Sequence, residues 1–394
     1  MKSVKYLIIG NGIAGLAAAK EIRNNDLDST ITMISSEEIN TYYRVKLTEY
    51  ISKDFIDEEL LVSKETWYKE KDIEVILSKI VENIDINNNK IRLDDGQEIG
   101  YDKLLIATGS RPFVPAINGK YKEGIFALRT LRDLHEMKEY LKPLTDVSVI
   151  GGGLLGLEAA WSLKQLGKEV NIIEFAPYLL PRQLDKEIAD KLEKKLLDNG
   201  FKLYLDSQAE EIIGEGKVSG IRLKDGREIE SQTIVVSSGI RPNLDIVRDT
   251  TIEYDKGIKV GKDLRTNIAN IYAAGDVVEI DGMVLGLWTA GNEQGKIAGA
   301  NMTGKDLRYN QPKIFTTLQI GDIKLFSAGI INDFDKIYEY KDEEMDIHHK
   351  IFTKDKKIVG VILFGDLKEI NALRNAVISN MRIDEYIKGD SRFI

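Results

Sequence analysis

The sequence predicts an α/β fold in which one strand–turn–helix unit occurs twice and a smaller α+β segment follows. The first unit runs from the apolar strand Tyr6–Ile9 through a glycine-rich turn into a helix over Leu16–Glu21. The second runs from the strand Asp146–Ile150 through a similar turn into a helix over Leu157–Leu166. From Lys313 onward, short alternating strands replace this pattern. These observations predict two Rossmann-like dinucleotide-binding domains and a small α+β C-terminal domain.

The three glycines of the first turn have the spacing of a dinucleotide-binding fingerprint. Gly10 permits a tight turn, Gly12 lets the backbone approach a pyrophosphate, and Gly15 lets the helix pack closely on the strand. The positive end of the helix then faces the phosphates. A glycine-rich turn that holds no ligand is the alternative. We predict that a dinucleotide contacts this turn at Gly10, Asn11, Gly12, Ile13, Ala14 and Gly15.

The end of the second strand, Thr30–Ile34, is where such a unit usually places an acid that accepts hydrogen bonds from a ribose. Ser35 and Ser36 come first, and Glu37 follows slightly late. We predict that these three residues contact the ribose.

Two cations, Arg44 and Lys46, follow this strand end closely. Their charges could neutralise a pyrophosphate, so both are predicted cofactor contacts. For Arg44, a surface ion pair with the acidic residues Glu37 and Glu38 is the alternative.

Two further strands end in small or acidic residues. The apolar strand that begins at Tyr101 ends in Ala107, Thr108 and Gly109, a turn that lets the backbone approach a ligand. A short strand over Ile271–Ala274 ends in Gly275 and Asp276. The Asp276 carboxylate can accept a hydrogen bond from a ribityl hydroxyl, or it can cap a following helix.

The second glycine-rich turn is part of a longer internal repeat. The hairpin KIRLDDGQEI is repeated as GIRLKDGREI, and ATGSRP is echoed by SSGIRP, so the whole nucleotide-binding unit is duplicated. We predict a second dinucleotide site. Its residues are Gly151, Gly153, Leu154, Leu155, Gly156, Glu174 and Gly239.

Glu174 bears on which dinucleotide binds there. It ends the strand that follows the second helix, where a carboxylate accepts hydrogen bonds from the adenosine 2′-hydroxyl. The same carboxylate would repel a 2′-phosphate by about 1 to 4 kcal/mol at 4 Å. NAD is therefore predicted over NADP. Arg182 lies close enough to serve a 2′-phosphate instead, although a surface role is the alternative.

Composition and charge argue against several kinds of partner and site. The chain has 394 residues and a net charge of −9, which argues against nucleic acid and anionic membranes as partners. No apolar run approaches the roughly 18 residues of a membrane span, and we expect a cytoplasmic protein. The chain has no cysteine, so it can form neither disulfides nor thiolate metal sites. We predict no metal site, and we expect the adjacent His348 and His349 to lie at the surface.

The motifs resemble those of the flavoprotein reductases with two dinucleotide-binding domains. GxGxxG at Gly10–Gly15, ATG at Ala107–Gly109, GGGxxGxE at Gly151–Glu158 and Gly-Asp at 275–276 occur in the order of that family. The resemblance implies that the first copy binds FAD together with the Gly-Asp segment, and that the second copy is inserted and binds NADH. The implied domains are 1–110 with 240–305 for FAD, 111–239 for NAD, and 306–394 for the C-terminal interface domain.

The resemblance also implies individual site residues. Glu158 would lie beside the nicotinamide, and a plain carboxylate favoured by the helix dipole is the alternative. Trp288 would lie close to the flavin, where ordinary core packing is the alternative. Both are assigned as catalytic, with no side-chain nucleophile. The remaining implied FAD contacts are Val81 and Thr289.

Among these reductases, the cysteine-free relatives that pass electrons to a separate carrier fit best, because thiol-dependent mechanisms need a cysteine. The short C-terminal domain resembles that of reductases of rubredoxin, so rubredoxin or a similar small redox protein is the expected partner. An acidic carrier would need a basic patch, for which Lys313 and Lys324 are candidates. The expected oligomeric state is a monomer or a weak homodimer. The alternatives are an NADH oxidase, the flavin half of a nitrite-reductase-like system, and a non-enzymatic NADH-sensing flavoprotein.

Overall fold

Residues 2–388 are described by the computed structural model. They form two units. The first comprises Met1–Lys46, Phe55–Phe113 and Gly239–Pro312, and the second comprises Leu47–Asp54, Val114–Ser238 and Lys313–Ile394. The predicted C-terminal domain therefore groups with the second copy of the repeat, and the division into FAD, NAD and C-terminal domains stays a prediction.

The first unit is built on a seven-stranded sheet whose parallel half surrounds the first strand of the chain. Lys2–Ile9 pairs in parallel with Ile31–Ile34 on one side and with Glu98–Ile106 on the other. Leu7 and Ile8 are fully buried, as expected for a strand covered on both faces. The other strands of this sheet are Ile73–Ile76, Ile271–Ala273, Lys90–Leu93 and Val81–Asp85.

Helices Ile13–Asn25 and Trp288–Met302 pack against each other in this unit. Two small ribbons complete it: Ser110–Pro112 pairs antiparallel with Ile240–Pro242, and Ile258–Lys259 pairs in parallel with Val278–Glu279. The remaining short elements are the helix Glu65–Glu70 and the 3₁₀ turns Arg44–Lys46, Asp57–Leu60 and Asp245–Val247.

The second unit repeats the parallel core on a smaller scale. In spatial order its five parallel strands are Lys202–Tyr204, Glu169–Ile173, Asp146–Ile150, Thr233–Val236 and Ile125–Phe126. An antiparallel sheet follows, of strands Ala209–Ile213, Gly220–Leu223 and Glu228–Glu230. The helices are Leu131–Leu141, Leu154–Gln165 and Lys186–Asp198, with a 3₁₀ turn at Glu49–Ile51.

The C-terminal part of the second unit is a five-stranded antiparallel sheet with two helices. The strands, in spatial order, are Phe315–Ile320, Ile323–Gly329, Lys357–Phe364, Ile347–Lys354 and Lys336–Asp342. The helices are Ile370–Ser379 and Ile383–Tyr386.

The predicted fold class is confirmed, because parallel strand–turn–helix units occur in both copies and a separate antiparallel sheet follows. The two helices after the glycine turns begin earlier than expected, at Ile13 and Leu154. Each begins directly after the second glycine of its turn, which is where the backbone first adopts helical angles.

Candidate functional site: two matched glycine turns

The first glycine turn brings together three segments that the sequence analysis singled out. Gly10 has φ +112°, and a Cβ built on it would lie 2.1 Å from the carbonyl oxygen of Ala107. Its N–H donates to the carbonyl of Ile34 at 2.8 Å, just before Ser35. The turn, the end of the second strand and the ATG segment therefore meet at one edge of the sheet, as predicted.

The second turn has the same geometry. Gly151 has φ +112°, and its Cβ would lie 2.3 Å from the carbonyl oxygen of Ser237. The close contact of the third glycine is also repeated: a Cβ on Gly15 would lie 2.0 Å from the Gly10 carbonyl, and one on Gly156 would lie 1.9 Å from the Gly151 carbonyl. The duplication inferred from sequence thus holds at the level of individual backbone contacts.

The middle glycine of each turn faces open space. A Cβ built on Gly12 or on Gly153 meets nothing within 4 Å among the described residues. Each glycine is also the N-cap residue of its helix, and no side chain of residues 2–388 caps either helix. The positive end of each helix thus has uncapped backbone N–H groups beside open space, and these residues suit the dinucleotides predicted for them.

Asn11 anchors the first turn to the segment after the second strand. It is buried, and its Oδ1 accepts a hydrogen bond from the Thr41 hydroxyl at 2.6 Å. The Tyr68 hydroxyl lies 3.0 Å from that of Thr41. The Asn11 side chain is thus engaged inside the protein, so its predicted cofactor contact would have to be made by its backbone.

Glu37 and Arg44 bind each other in the structure. The Arg44 guanidinium donates to Glu37 Oε1, and the Tyr42 hydroxyl donates to Glu37 Oε2 at 2.7 Å. The ion pair, which was the alternative for Arg44, is thus formed. Their contacts with a cofactor stay a prediction. The neighbouring Lys46 has its ammonium 5.0 Å from the centre of the Tyr43 ring.

Asp276 lies at the carboxyl end of the strand Ile271–Ala273 and does not cap a helix. The next element is the strand Val278–Glu279, and the nearest following helix begins at Trp288. This removes the N-cap alternative and leaves a carboxylate at the edge where the first glycine turn lies. The Ser110 hydroxyl donates to Asp276 Oδ2 at 2.9 Å.

Trp288 stacks on Tyr43, with ring centres 5.7 Å apart and 29° between the ring planes. Trp288 is half-buried, whereas Tyr43 is exposed. The indole is the first residue of its helix and is not part of the main hydrophobic core of the unit. The pair therefore forms an aromatic surface beside the segment that carries Arg44.

The other predicted residues fall as follows. Val81 packs against the main core of the first unit, and the Thr108 hydroxyl donates to the carbonyl of Asn243 at 3.1 Å. Gly239, which was predicted to contact NAD, belongs to the first unit, where its carbonyl accepts from the Phe113 N–H at 2.8 Å. Thr289 is exposed.

Glu174 is held rigidly at the end of its strand. Its Oε2 accepts from the Gly152 N–H at 2.6 Å, and its Oε1 accepts from the Ala176 N–H at 2.7 Å. The carboxylate is thus fixed beside the second glycine turn, where the ribose acid is expected. Arg182 is exposed.

Glu158 lies on the helix that follows the second glycine turn. Burial raises the pKa of its carboxyl, whereas a hydrogen bond from the Thr48 hydroxyl to Oε2, at 2.9 Å, favours the ionised form. Thr48 belongs to the short segment Leu47–Asp54, which the contacts place in the second unit although it interrupts the first copy in sequence. The carboxyl is therefore a half-buried group whose pKa is raised by burial and by the charge of Glu49 and is lowered by the Thr48 hydroxyl.

The expectation that His348 and His349 are surface residues was wrong, because both are buried. Their strand, Ile347–Lys354, lies between two others and is covered on both faces. The His349 Nε2 lies 2.9 Å from the carbonyl of Asp366. Neither ring nitrogen of His348 has a hydrogen-bond partner among the described residues.

Carboxylates and ammonium groups surround His348. Its Nε2 is 3.8 Å from Glu339 Oε2, and one potential ligand atom each of Glu187, Glu339 and His348 lies within 4.8 Å of the other two, a spacing that a metal ion could bridge. The ammonium groups of Lys341 and Lys350, however, already contact all four oxygens of Glu187 and Glu339, at 2.6 to 3.3 Å. The two lysines therefore supply the positive charge that these carboxylates need.

This cluster predicts a loss of stability in mild acid. Burial, and then the charge of Lys350, lowers the pKa of His348, so the folded protein resists binding a proton that the unfolded chain takes up near pH 6.5. Between pH 7.5 and 5.5 the free energy of unfolding should fall by up to about 1.4 kcal/mol through this group. The measurement is urea unfolding at both pH values.

The variant H348L should remove most of that pH dependence, whereas H135A, which changes an exposed histidine, should retain it. Equal pH dependence in H348L and the wild type would show that other groups are responsible. Glu187 titrates in a separate range. Hydrogen bonds from Lys341 and Lys350 lower the pKa of Glu187 to about 2. The contribution of Glu187 to the free energy of unfolding is therefore fully present above the usual pKa of a carboxyl group and is lost only as the pH falls toward 2.

Several residues that bind the candidate site residues were not identifiable from the sequence, among them Thr48, Ser110 and Gln294. The Gln294 side chain accepts from the Gly275 N–H at 2.8 Å and thereby fixes the turn that carries Asp276. These residues lie 19 to 166 positions from their partners, and no local pattern marks them.

Comparison with known families gives two matches. Residues 4–295 match the family described as pyridine nucleotide-disulphide oxidoreductase, and residues 315–381 match the rubredoxin NAD+ reductase C-terminal domain. In the part of the chain that the structure describes, no helix has both the length and the apolar character needed to cross a membrane.

Individual relatives cover nearly the whole chain. Nitrite reductase (NAD(P)H) of Bacillus subtilis is 35% identical over 98% of this chain, which spans only 49% of that protein. NADH-rubredoxin oxidoreductase of Clostridium acetobutylicum is 34% identical over 98% of this chain and 97% of its own length. The crystal structure of the NADH:rubredoxin oxidoreductase from the same organism superposes with a TM-score of 0.83 over 97% of both chains, at 34% identity.

The resemblance inferred from four glycine-containing motifs is thus confirmed. FAD and NADH, the cofactors predicted for the two turns, are those of this family and of the similar reductases. With 4–295 matched, the chain belongs to the pyridine nucleotide-disulphide oxidoreductase family.

Proposed function

We propose that the chain is an NADH-dependent flavoprotein reductase that passes electrons through FAD to rubredoxin or a similar small redox protein. The observation that carries the proposal is the pair of matched glycine turns, each with an open middle glycine at a helix N-terminus. One relative of nearly the same length, named as an NADH-rubredoxin oxidoreductase, supports the choice of carrier.

The residues of this chain bind and orient the two cofactors. The backbone at Gly12 receives the FAD pyrophosphate, and Asp276 accepts a hydrogen bond from the ribityl chain. The backbone at Gly153 receives the NADH pyrophosphate, Glu174 binds its ribose, and Glu158 contacts the nicotinamide end. FAD, when bound, supplies the redox chemistry: it accepts a hydride and releases electrons singly.

Without cysteine the chain cannot relay electrons through a disulfide or a sulfenate. Electrons would therefore have to pass to an external acceptor, and we propose that such an acceptor docks beside the Tyr43 and Trp288 pair. We further propose a cytoplasmic protein that is a monomer or a weak homodimer.

The candidate basic patch for the carrier reduces to one residue. The Lys313 ammonium donates to the Val377 carbonyl at 2.5 Å and to Asn380 Oδ1 at 3.0 Å, so it helps to hold the C-terminal domain together. Lys324 is exposed and remains the candidate for contact with an acidic carrier.

Anaerobic stopped-flow spectroscopy tests the proposal. The FAD-loaded protein is mixed with NADH and then with rubredoxin, and the flavin and iron–thiolate bands are followed. Fast flavin bleaching followed by fast rubredoxin reduction, with slow turnover of oxygen in a parallel run, is expected. Bleaching with rubredoxin untouched would contradict the choice of carrier, and fast oxygen turnover would favour an NADH oxidase.

A second candidate is the flavin half of a nitrite-reductase-like system. It is favoured by the match to the Bacillus subtilis nitrite reductase, of which the chain spans about half. In that case NADH should bleach the flavin while rubredoxin stays oxidised, and a separate nitrite-reducing protein should accept the electrons.

The contact between Thr48 and Glu158 predicts a pH effect on turnover. The variant T48V removes a hydrogen bond that favours the ionised carboxylate, so the pKa of Glu158 should rise further. The acid limb of kcat/KM for NADH should move to higher pH, and kcat/KM at pH 7 should fall by about three- to tenfold. Steady-state kinetics over the pH range provides the measurement.

The matched control is S52A, which removes another hydroxyl of the same segment, one that bonds to Gln165 at 2.9 Å. It should leave the pH profile in place, and T48S should restore the wild-type profile. A profile that stays fixed in T48V would show that Glu158 does not control NADH turnover.

A further inference from the structure

We propose that Ser110 is a positioning residue whose hydroxyl orients the Asp276 carboxylate for FAD. The inference rests on the proposed function, in which Asp276 accepts a hydrogen bond from the ribityl chain. Ser110 itself need not touch the cofactor. Its role would be to fix the direction in which the carboxylate presents its oxygens before FAD arrives.

The contact has the geometry and burial of a structural hydrogen bond. The Ser110 Oγ donates to Asp276 Oδ2 at 2.9 Å, and Ser110 is only 5% exposed. Water has little access to this hydroxyl, so the bond to a charged acceptor is a strong one. A carboxylate held in this way cannot turn its plane freely about its side-chain torsion.

The backbone beneath Asp276 is fixed independently of Ser110. Gly275 has φ +89°, and its N–H donates to the buried Gln294 side chain at 2.8 Å. A Cβ built on Gly275 would lie 3.0 Å from the Cβ of Ala14, next to the first glycine turn. Backbone position is therefore set by Gln294 and close packing, and the Ser110 hydroxyl acts on the direction of the carboxylate.

The internal repeat shows that the ribbon carrying Ser110 has no need of a hydroxyl there. Ser110–Pro112 and Ile240–Pro242 are equivalent segments of the two copies, and they pair antiparallel, with Ser110 opposite Pro242 and Ile240 opposite Pro112. Ile240 thus occupies the position equivalent to Ser110, and its side chain lies against Gly286. The same ribbon forms around an isoleucine and a serine, so the hydroxyl serves Asp276 rather than the ribbon.

Loss of the hydroxyl should weaken FAD binding without unfolding the protein. In S110A the carboxylate loses a charge-assisted donor and gains rotational freedom that FAD binding must remove. We expect the dissociation constant for FAD to rise about tenfold. S110T keeps a hydroxyl and should bind FAD within about threefold of the wild type.

The test is a double-mutant cycle on FAD affinity, measured by flavin fluorescence during reconstitution of the full-length protein. The variants are S110A, D276A and the double variant. The matched control is S327A, which removes an equally buried hydroxyl that bonds to the Gln183 carbonyl at 2.6 Å in the second unit. Urea unfolding of each variant checks the fold, and S110C replaces S110A if the latter does not fold.

Positioning predicts coupling between the two residues. S110A should weaken FAD binding in the wild-type background, should have less than about a twofold effect in the D276A background, and S327A should have none. Equal losses of FAD affinity in both backgrounds, or no loss in S110A, would overturn the role of Ser110 and leave the proposed function standing. If D276A binds FAD as tightly as the wild type, the assignment of Asp276 in the proposed function fails, and the role of Ser110 fails with it.

Discussion

The variant G153A is expected to raise the KM for NADH by about 10- to 100-fold while the protein keeps its FAD. Gly153 has φ −74°, which alanine adopts without strain, and its Cβ would meet no described residue within 4 Å. The added methyl group therefore costs the fold little. It occupies the space through which a pyrophosphate reaches the helix N-terminus, and NADH must lose those backbone contacts.

The reciprocal variant G12A is the matched control, because Gly12 has φ −87° and the same open surroundings in the first unit. It should weaken FAD binding and leave the NADH affinity of the remaining holoprotein near that of the wild type. Steady-state kinetics and flavin content separate the two effects. If G153A released FAD instead, or if neither variant changed either affinity, the assignment of the two turns would be wrong.

The backbone turns of the site were predictable because their conformation requires glycine, and the spacing of the glycines is visible in the sequence. Gly10 and Gly151 both have φ +112°, and each lies so close to a neighbouring carbonyl that a side chain would not fit. These positions demand glycine, so the glycine spacing, together with the strand before and the helix after each turn, located both turns, and the repeated hairpin located the duplication. The parallel strands were also predictable, because strands that are buried on both faces appear in the sequence as continuous apolar runs.

The acid of the first copy was only partly predictable. Glu37 was assigned to the ribose from its place after the second strand, and the partner of Arg44 was left open between a pyrophosphate and an ion pair with Glu37 or Glu38. In the structure Glu37 binds Tyr42 and Arg44, five and seven residues away, within one loop. Loop conformation decides which of two nearby charges a guanidinium meets, and no periodicity encodes it.

Side-chain contacts between distant segments were not predictable. Thr48 meets Glu158 across 110 residues, and Lys350 meets Asp185 across 165. His348 was expected at the surface because it and His349 are adjacent on a strand and point to opposite faces, which argued against a shared metal site. It is buried because Glu187, at the start of another helix, and the lysines of the sheet cover that face. Local sequence carries no information about what covers a strand from elsewhere in the chain.

The variant E174A is expected to reduce the preference for NADH over NADPH by about 100-fold or more, expressed as the ratio of the two kcat/KM values. The fixed carboxylate accepts a hydrogen bond from a ribose 2′-hydroxyl and repels a 2′-phosphate. Its removal therefore weakens the binding of NADH and removes the repulsion of NADPH. Coulomb repulsion of about 1 to 4 kcal/mol per unit charge at 4 Å is enough for a change of this size, since 1.4 kcal/mol is about tenfold.

The matched control is E169A, at the other end of the strand Glu169–Ile173, where the side chain is half-exposed and 3.7 Å from Lys164. It removes an acid from the same strand far from the glycine turn and should leave the preference unchanged.

Because Glu174 also binds the N–H groups of Gly152 and Ala176, E174Q provides a second variant that keeps one acceptor oxygen. It separates loss of charge from loss of loop support. A large change in the ratio of the two kcat/KM values in E174A alone would assign the effect to the loop. A change in both variants would assign it to the charge. An unchanged ratio in both would mean that coenzyme choice is made elsewhere, with Arg182 the next residue to replace.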